Sequence, residues 1–306
     1  MNLLRRITTL VLVLAAMSVS TATFATDDPA ETSSRQIGRL AWHTDYAEAY
    51  AQAKRDHQQL FIFFRDESQE NVADAYERNV LADELLEESL ARYTRAIVPL
   101  DTPSIGNEDS EDAYQAQPLV EHDAFEHLHQ RQGLVIIDFV EPGSPIHGLI
   151  TAAHPFTPGK HYTFRSTLAV LGLPRGTITQ RALVYAVRIH PDAPASTDRA
   201  VNHYLFEQAH QHSLTQARYS QVGHQNWSHR FQVISAQLGG RYGVNEIAAS
   251  GNGETMIEAA QDCVAGWRQS PGHWQHVAGH PQFYGYDLVQ SGTGKWYGTG
   301  ILAYED

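Results

Sequence analysis

Histidines are the first residues in this sequence whose type suggests chemistry. The chain has 17 of them, and nine lie at or after residue 190. A neutral imidazole nitrogen is a preferred ligand of zinc, with a carboxylate or water completing the coordination shell. The candidates in the second half are His203, His210, His212, His224, His229, His273, His276 and His280. None belongs to a His-Glu-x-x-His pair, and Gly279 and Pro281 argue against a helix between His276 and His280. Spacing alone therefore does not select a metal site.

Covalent catalysis has weaker support in the sequence. The only cysteine, Cys263, falls on the apolar stripe of a predicted helix, which indicates a small buried side chain rather than a reactive thiol. A single cysteine also allows no internal disulfide and no Cys-x-x-Cys redox pair. The sequence has no Gly-x-Ser-x-Gly segment that would present a nucleophilic serine. These absences favour a binding site over one that forms a covalent intermediate.

The elements around His273 determine where its side chain lies. Apolar residues in 256–267 recur every three or four positions, which predicts a helix that buries one stripe. Ser270, Pro271 and Gly272 predict that this helix ends, because proline disfavours helix before it and glycine tolerates a left-handed turn. We expect His273 on a loop at the end of an anchored helix, where it could reach a cleft. The alternative is that His273 only caps the end of that helix.

Four segments in the second half resemble those of a known family. They are residues 223–230 (Gly-His-Gln-Asn-Trp-Ser-His-Arg), 245–248 (Asn-Glu-Ile-Ala), 267–273 (Trp-Arg-Gln-Ser-Pro-Gly-His) and 298–303 (Gly-Thr-Gly-Ile-Leu-Ala). In order and spacing they resemble the CAP superfamily of cysteine-rich secretory, antigen 5 and pathogenesis-related 1 proteins (SCP-like), in its short bacterial form. The resemblance implies an α/β/α sandwich around a small antiparallel sheet, with a cleft that holds two histidines and two acids. His224 would be the first histidine, His273 the second and Glu246 the first acid.

The sequence departs from this family at both acids. Where the family usually reads Glu-Asn-Ile-Ala, Asn245 stands in the place of the acid and Glu246 follows one residue later. The second acid is expected on the helix near Trp267, but the nearest acids, Glu258 and Asp262, are a turn or more away. We therefore expect an incomplete set of cleft residues.

A cleft formed by His224, Glu246 and His273 would allow two functions. The imidazoles of His224 and His273 are candidate ligands of a metal such as zinc, and Glu246 could orient one ring or activate a water. The protein would then be a metal-dependent hydrolase, with Glu246 and His273 as candidate catalytic residues. Because the second acid and a nucleophile are missing, we favour a binding protein whose cleft recognises an envelope or extracellular component. That role requires no cofactor, although zinc could be bound.

Hydrophobic patterns predict alternating helices and strands in the first half. Helices are predicted at 45–55, 70–93, 119–130 and 162–171, and strands at 60–64, 96–100, 134–139 and 149–152. In the second half, helices are predicted at 179–187 and 198–222, and a hairpin of strands at 286–289 and 296–302. The alternation is typical of an α/β layer structure in which helices cover a sheet.

The first half also resembles the thioredoxin fold, in the branch where Trp42 and a helix precede an apolar strand. In that fold the strand leads into a redox motif, but here residues 65–70 (Arg-Asp-Glu-Ser-Gln-Glu) contain no cysteine. Gly133 stands where the fold's proline before the next central strand is expected. The resemblance implies a thioredoxin-like α/β domain without redox activity, whose role would be binding or support.

Composition divides the chain into four predicted segments. Residues 1–25 combine two arginines, an apolar run too short for a comfortable membrane span and small residues near a cleavage site, which is typical of a secretory signal peptide. The polar residues 26–36 predict a flexible leader. Glycine and proline between residues 171 and 176 predict the boundary between a thioredoxin-like domain at 37–172 and a CAP-like domain at 175–306. We expect a secreted or periplasmic protein without a stable membrane span after signal cleavage.

Charge separates the two halves. Residues 26–172 have 25 acidic against 11 basic residues, whereas residues 173–306 have 10 against 9. Neither half has the basic composition typical of proteins that bind nucleic acid or anionic membranes, so we expect neither partner. The acidity of the first half is typical of a solvated surface. The alternative is an interaction module that works through this acidic half.

Overall fold

The computed structural model describes residues 34–104, 117–157 and 162–305. The predicted signal peptide, residues 1–25, lies outside these ranges, as does the predicted leader up to residue 33. The last three leader residues, 34–36, belong to a strand instead of a flexible segment. The described chain is an α/β protein, as predicted. None of its described helices has both the length and the apolar content needed to cross a membrane.

The first half is built on a six-stranded sheet. Its strands are β1 (Ser34–Ile37), β2 (Leu40–His43), β3 (Leu60–Arg65), β4 (Thr94–Pro99), β5 (Gly133–Ile137) and β6 (Ile150–Pro155). They lie in the order β1-β2-β4-β3-β5-β6. β2 and β3 are parallel to β4, β5 is antiparallel to β3, and β6 is antiparallel to β5. Every residue of β3 is buried, as its continuous apolar run predicts for a central strand.

Four helices accompany this sheet: α1 (Tyr46–Asp56), α2 (Glu70–Tyr76), α3 (Glu84–Leu90) and α4 (Phe164–Leu171). The helical region predicted over 70–93 is divided, because a π-helical turn at Glu77–Leu81 and a break separate α2 from α3. The side chain of Asp83 explains the break, since it accepts hydrogen bonds from the first backbone N–H groups of α3 and so starts a new helix.

The prediction of a helix over 119–130 is wrong. The chain forms two short 3-10 helices there, Leu119–Glu121 and Asp123–Leu128. His122 separates them, because its ring nitrogen accepts a hydrogen bond from the backbone N–H of Ala124 and caps the second one.

The second half is built on a four-stranded sheet. Its strands are β7 (Ala200–Val201), β8 (Tyr242–Gly251), β9 (Phe283–Gln290) and β10 (Trp296–Glu305), in the order β7-β9-β10-β8. β10 is antiparallel to both β8 and β9, and it forms the predicted hairpin with β9. The helices are α5 (Ile178–Ile189), α6 (His203–Tyr219), α7 (Trp227–Gln237), α8 (Met256–Gln269) and α9 (Pro271–Ala278).

Neighbouring residues of β10 show which helices cover each face of this sheet. Thr299 accepts hydrogen bonds from Ser213 and Gln216 of α6. Gly298 faces the other way, where a Cβ would meet the Cys263 side chain of α8. The sheet therefore lies between α6 on one face and α8 on the other, with α5 packed beside α8.

One hydrophobic core joins the two sheets. It contains Trp42 and Phe61 from the first half and Leu183 and Ile247 from the second. The described residues form one compact unit, with no break in packing at the boundary predicted between residues 172 and 175. The division into two domains stays a prediction, and experiments on this protein need the full chain.

Candidate functional site

The candidate site lies on the face of the second sheet that α6 covers. Glu246 of β8 is the ladder partner of Ile301, which packs on this face, and the Glu246 side chain is fully buried. His224 precedes α7, and its Nδ1 lies 2.9 Å from Oε1 of Glu246. The imidazole of His224 is 42% exposed. A buried carboxylate thus orients a ring that reaches solvent.

Arg230 of α7 holds the same carboxylate. Its Nη1 donates to Oε2 of Glu246, and its Nη2 donates to Oε1 at 2.8 Å. The guanidinium also lies over the ring of Trp227, with Cζ 5.2 Å from the ring centroid. A bidentate pair of this kind fixes the geometry of both partners. The charge of Glu246 is therefore balanced within the site.

His212 of α6 completes the surroundings of Glu246. Its Nε2 lies 3.3 Å from Oε1 of Glu246 and 2.8 Å from the backbone oxygen of Gly223. Burial lowers the pKa of His212 despite the nearby carboxylate, so the ring is neutral at pH 7. Burial alone would raise the pKa of Glu246, but the hydrogen bonds from His224 and Arg230 outweigh it and the pKa is lowered. Glu246 is therefore ionised.

His273 lies beside His224, but on a helix rather than on the predicted loop. Pro271 is the first residue of α9, a position that suits proline because the N–H it lacks has no partner there in any helix. α8 therefore ends at Gln269, and His273 belongs to the first turn of the next helix. The interpretation of His273 as only a cap of the preceding helix is wrong for the same reason. The rings of His224 and His273 have centroids 5.8 Å apart.

The rest of α9 also differs from the sequence prediction. The helix continues to Ala278, so His276 is helical and only His280 lies beyond its end. His276 stands three residues after His273, and the two rings share one side of the helix. Burial lowers the pKa of His273, and the nearby imidazoles of His224 and His276 lower it further. The ring of His273 is therefore neutral at pH 7.

The positions of the acids explain why the site has one carboxylate. Successive strand residues point to opposite faces, so Glu246 enters the site and Asn245 does not. The side chain of Glu258 accepts a hydrogen bond from Thr255 N–H at the start of α8. Asp262 accepts one from the backbone N–H of Asn252. Both acids near Trp267 therefore bind backbone N–H groups outside the site.

Arg230 and His212 cannot be identified as site residues from the sequence pattern alone. Arg230 ends the segment 223–230, and His212 is one of eight candidate histidines without distinctive spacing. Their roles depend on how α6 and α7 pack against β8, which is long-range information.

The geometry limits how a metal could bind here. The described residues contain no group of three or more His, Cys, Asp and Glu side chains placed to hold a metal ion. Both oxygens of Glu246 accept hydrogen bonds, which leaves the imidazoles of His224 and His273 as ligands. Two nitrogens are fewer than the three protein ligands usual at catalytic zinc. A metal in this cleft would need further donors from water or from a bound molecule.

The end of β3, where a redox motif would be expected, carries an ion-pair cluster instead. Arg65 is buried, and its guanidinium lies 2.6 Å from Glu67, 2.7 Å from Asp74 and 3.2 Å from Glu77. The only cysteine of the chain, Cys263, lies in α8, where burial raises the pKa of its thiol to about 12. The ion pairs of Arg65 stabilise the fold. The buried thiol of Cys263 is unsuited to redox chemistry.

Comparisons with known proteins leave the family open. No protein-family model matches the chain, and no curated protein matches it. Among solved structures, the chain is similar to an outer surface protein from Borrelia burgdorferi, at 14% sequence identity and a TM-score of 0.30. The match covers 35% of this chain and 78% of that one. A TM-score of this size carries no argument about fold or function.

Proposed function

We propose that this chain is an exported binding protein whose cleft at His224 and His273 recognises an envelope or extracellular component. The observation that carries the proposal is the pair of adjacent imidazoles, one of them oriented by the buried Glu246. The His224 ring is open to solvent, whereas the carboxylate behind it is not. Such an arrangement presents fixed nitrogen atoms to a ligand and shields the acid that fixes one of them.

Glu246 is poorly suited to the alternative role of a catalytic base. A base must reach the proton it removes, directly or through one water, and its pKa works best near the operating pH. The Glu246 side chain has no exposed surface, its pKa is lowered, and Arg230 occupies both of its oxygens. These features favour binding over a metal-dependent hydrolase.

The chemistry of the two imidazoles suggests what the cleft could hold. Neutral imidazole nitrogens coordinate divalent metals and also donate and accept hydrogen bonds. With two protein nitrogens, the cleft suits a ligand that brings its own oxygen or nitrogen donors, with a metal bridging between them. Zinc ion is therefore the simplest probe of the cleft.

The arrangement of the elements supports the two family resemblances as proposals. In the first half, α1 connects the parallel strands β2 and β3, and β5 lies antiparallel beside β3, which is an order compatible with a thioredoxin-like domain. In the second half, helices cover both faces of a sheet whose three long strands are antiparallel, as expected for a CAP-like sandwich, although the two-residue edge strand β7 is parallel to β9. Because the first half has no cysteine, we infer that it supports the cleft or binds a partner.

Zinc titration by calorimetry tests the cleft in the full mature chain. We expect binding that weakens at least tenfold in His224→Ala and in His273→Ala. His280→Ala, which alters an exposed histidine beyond the end of α9, is the matched control and should bind like the unaltered protein. Equal binding by all four proteins would refute the cleft as a zinc site. Turnover of ester or peptide substrates by the zinc-loaded protein would favour the hydrolase.

A second candidate function is binding of a basic partner through the acidic first half. A groove of about 430 Å³ is lined by Glu121, Asp123 and Glu126, and by Glu254 from the second half. Glu254 is paired with Arg131 at 2.6 Å, so the charge of the other three acids is in excess. Changing these three to amides should abolish capture of oligolysine and leave zinc binding unchanged. If the variant captured oligolysine as well as the unaltered protein, the groove would be refuted as the binding site.

A further inference from the structure

Arg181 of α5 lies in the interior with most of its hydrogen-bonding capacity unused. The residue is 1% exposed. Its Nη1 donates to the backbone oxygen of Pro174 at 3.2 Å. Its Nε and Nη2 are also buried, and neither has a hydrogen-bond partner among the described residues. Buried polar groups are nearly always paired, so these two nitrogens need an explanation.

The carboxylate whose charge reaches Arg181 is already occupied. Asp138 is fully buried, and its two oxygens accept hydrogen bonds from Nε and Nη2 of Arg175, each at 3.0 Å. Gln59 donates a further hydrogen bond to the same carboxylate at 3.0 Å. Arg175 also donates to the exposed Glu141 at 3.0 Å, so it holds both carboxylates, and none of these hydrogen bonds involves Arg181. Arg188, the other charged group near Arg181, is itself a cation.

His154 of β6 faces the same region and adds no negative charge. It is 1% exposed, and its ring packs 4.4 Å from that of Tyr185, one helical turn after Arg181. Burial and the Arg181 charge lower the pKa of His154 to about 3, so the ring is neutral. Its Nδ1 is also buried without a partner among the described residues. The interface between α5 and β6 thus has unused nitrogen groups and a guanidinium without a hydrogen-bonded counter-ion among the described residues.

Arg181 cannot avoid the free-energy cost of a buried charge by losing its proton. Burial lowers its pKa to about 10, which still leaves the guanidinium charged at pH 7. An isolated charge in a protein interior is strongly unfavourable unless it is paired. The two unused nitrogens, Nε and Nη2, form one edge of the planar guanidinium and present parallel N–H groups. That edge matches the geometry of a carboxylate or another small anion.

We propose that the Nε–Nη2 edge of Arg181 binds a small monovalent anion in the interior, between α5 and the first sheet. A single charge is expected because one guanidinium lacks a hydrogen-bonded counter-ion among the described residues. The ligand class is a halide or a compact oxyanion such as nitrate or a short carboxylate. The site is separate from the cleft at His224 and His273, and it lies beside the Pro174 segment that connects the two sheets.

The dependence of thermal unfolding on anion concentration tests this site in the full mature chain. Chloride, nitrate and acetate are each titrated against gluconate at constant ionic strength. A ligand that binds only the folded state raises the melting temperature by about 2–4 °C for each tenfold rise above its Kd. We expect this response to at least one of the three anions. Arg181→Gln and Arg181→Leu should abolish it, and Arg218→Gln, an exposed control on α6, should retain it.

Two results would overturn the proposal. One is a melting temperature that responds to none of the three anions. The other is a response that survives in Arg181→Gln. If the Arg181 variants do not fold, crystals of the unaltered protein soaked in bromide give a second test. An anomalous peak within hydrogen-bond distance of Nε and Nη2 is expected, and an ordered water there without anomalous signal would refute the anion.

Discussion

Replacing Arg230 with glutamine should destabilise the protein strongly, because it leaves the charge of Glu246 without its partner. The Glu246 side chain is fully buried and that of Arg230 is 17% exposed. Removing one member of a buried ion pair typically costs about 3–5 kcal/mol, since the remaining charge stays buried. We expect a value near the lower limit, about 3 kcal/mol, because His224 still hydrogen-bonds to Oε1.

A double-mutant cycle separates this pair from other effects of the substitutions. Urea unfolding at pH 7, followed by tryptophan fluorescence, is measured for Arg230→Gln, Glu246→Gln and the double variant. Because the double variant leaves no buried charge without a partner, we expect a coupling free energy of at least about 1.5 kcal/mol between Arg230 and Glu246. Arg218→Gln alters an exposed arginine and should change stability by less than about 0.5 kcal/mol. A cost below about 1 kcal/mol for Arg230→Gln, or a coupling near zero, would refute the reasoning.

The same pair predicts the pH dependence of stability. The pKa of Glu246 in the folded protein is lowered from its ordinary value of 4.5. The stabilising contribution of ionised Glu246 to the free energy of unfolding is therefore fully present above pH 4.5, and it is lost as the pH falls through the pKa of the folded protein. In Arg230→Gln, burial would favour the protonated acid instead. The difference in unfolding free energy between the two proteins should shrink on acidification, and a constant difference from pH 7 to pH 3 would contradict this account.

Two further predictions concern Cys263 and His273. Cys263 should not react with an aromatic disulfide reagent in the native protein and should react fully in guanidinium, because its thiol is buried and has a pKa of about 12; rapid native reaction would show that α8 is not packed as described. The ring of His273 should titrate below 6.5 by NMR, with its signal assigned by its loss in His273→Ala, because burial and neighbouring imidazoles disfavour its charged form. A midpoint at or above 6.5 would exclude that environment.

Elements with a strong and uninterrupted pattern were predictable from the sequence. The apolar run at 60–64 can only be buried, and it forms the central strand β3. The helical spacing over 256–267 likewise appears as α8, with its apolar stripe buried. The failures lie where a local side chain overrides the pattern, as Asp83 does by starting α3 within an apparently continuous helix. Such capping depends on geometry that spacing does not record.

The site was predictable only where local sequence carried the information. His224, Glu246 and His273 lie close together, as the family resemblance implies. The partners of Glu246 could not be predicted, because Arg230 and His212 belong to different helices that meet only in the folded chain. Pro271 also carried an ambiguous signal, since proline ends one helix and begins the next equally well.

Because one hydrophobic core joins the two sheets, we expect the two halves to unfold together. Trp42 and Phe61 from the first half belong to the same hydrophobic core as Leu183 and Ile247 from the second. Loss of order in either half would uncover apolar surface in the other, which proteases could then attack. A change in the acidic half, far along the chain from His224 and His273, would thus lower the amount of intact cleft without touching it. Inherited variation in one half is expected to be constrained by the other.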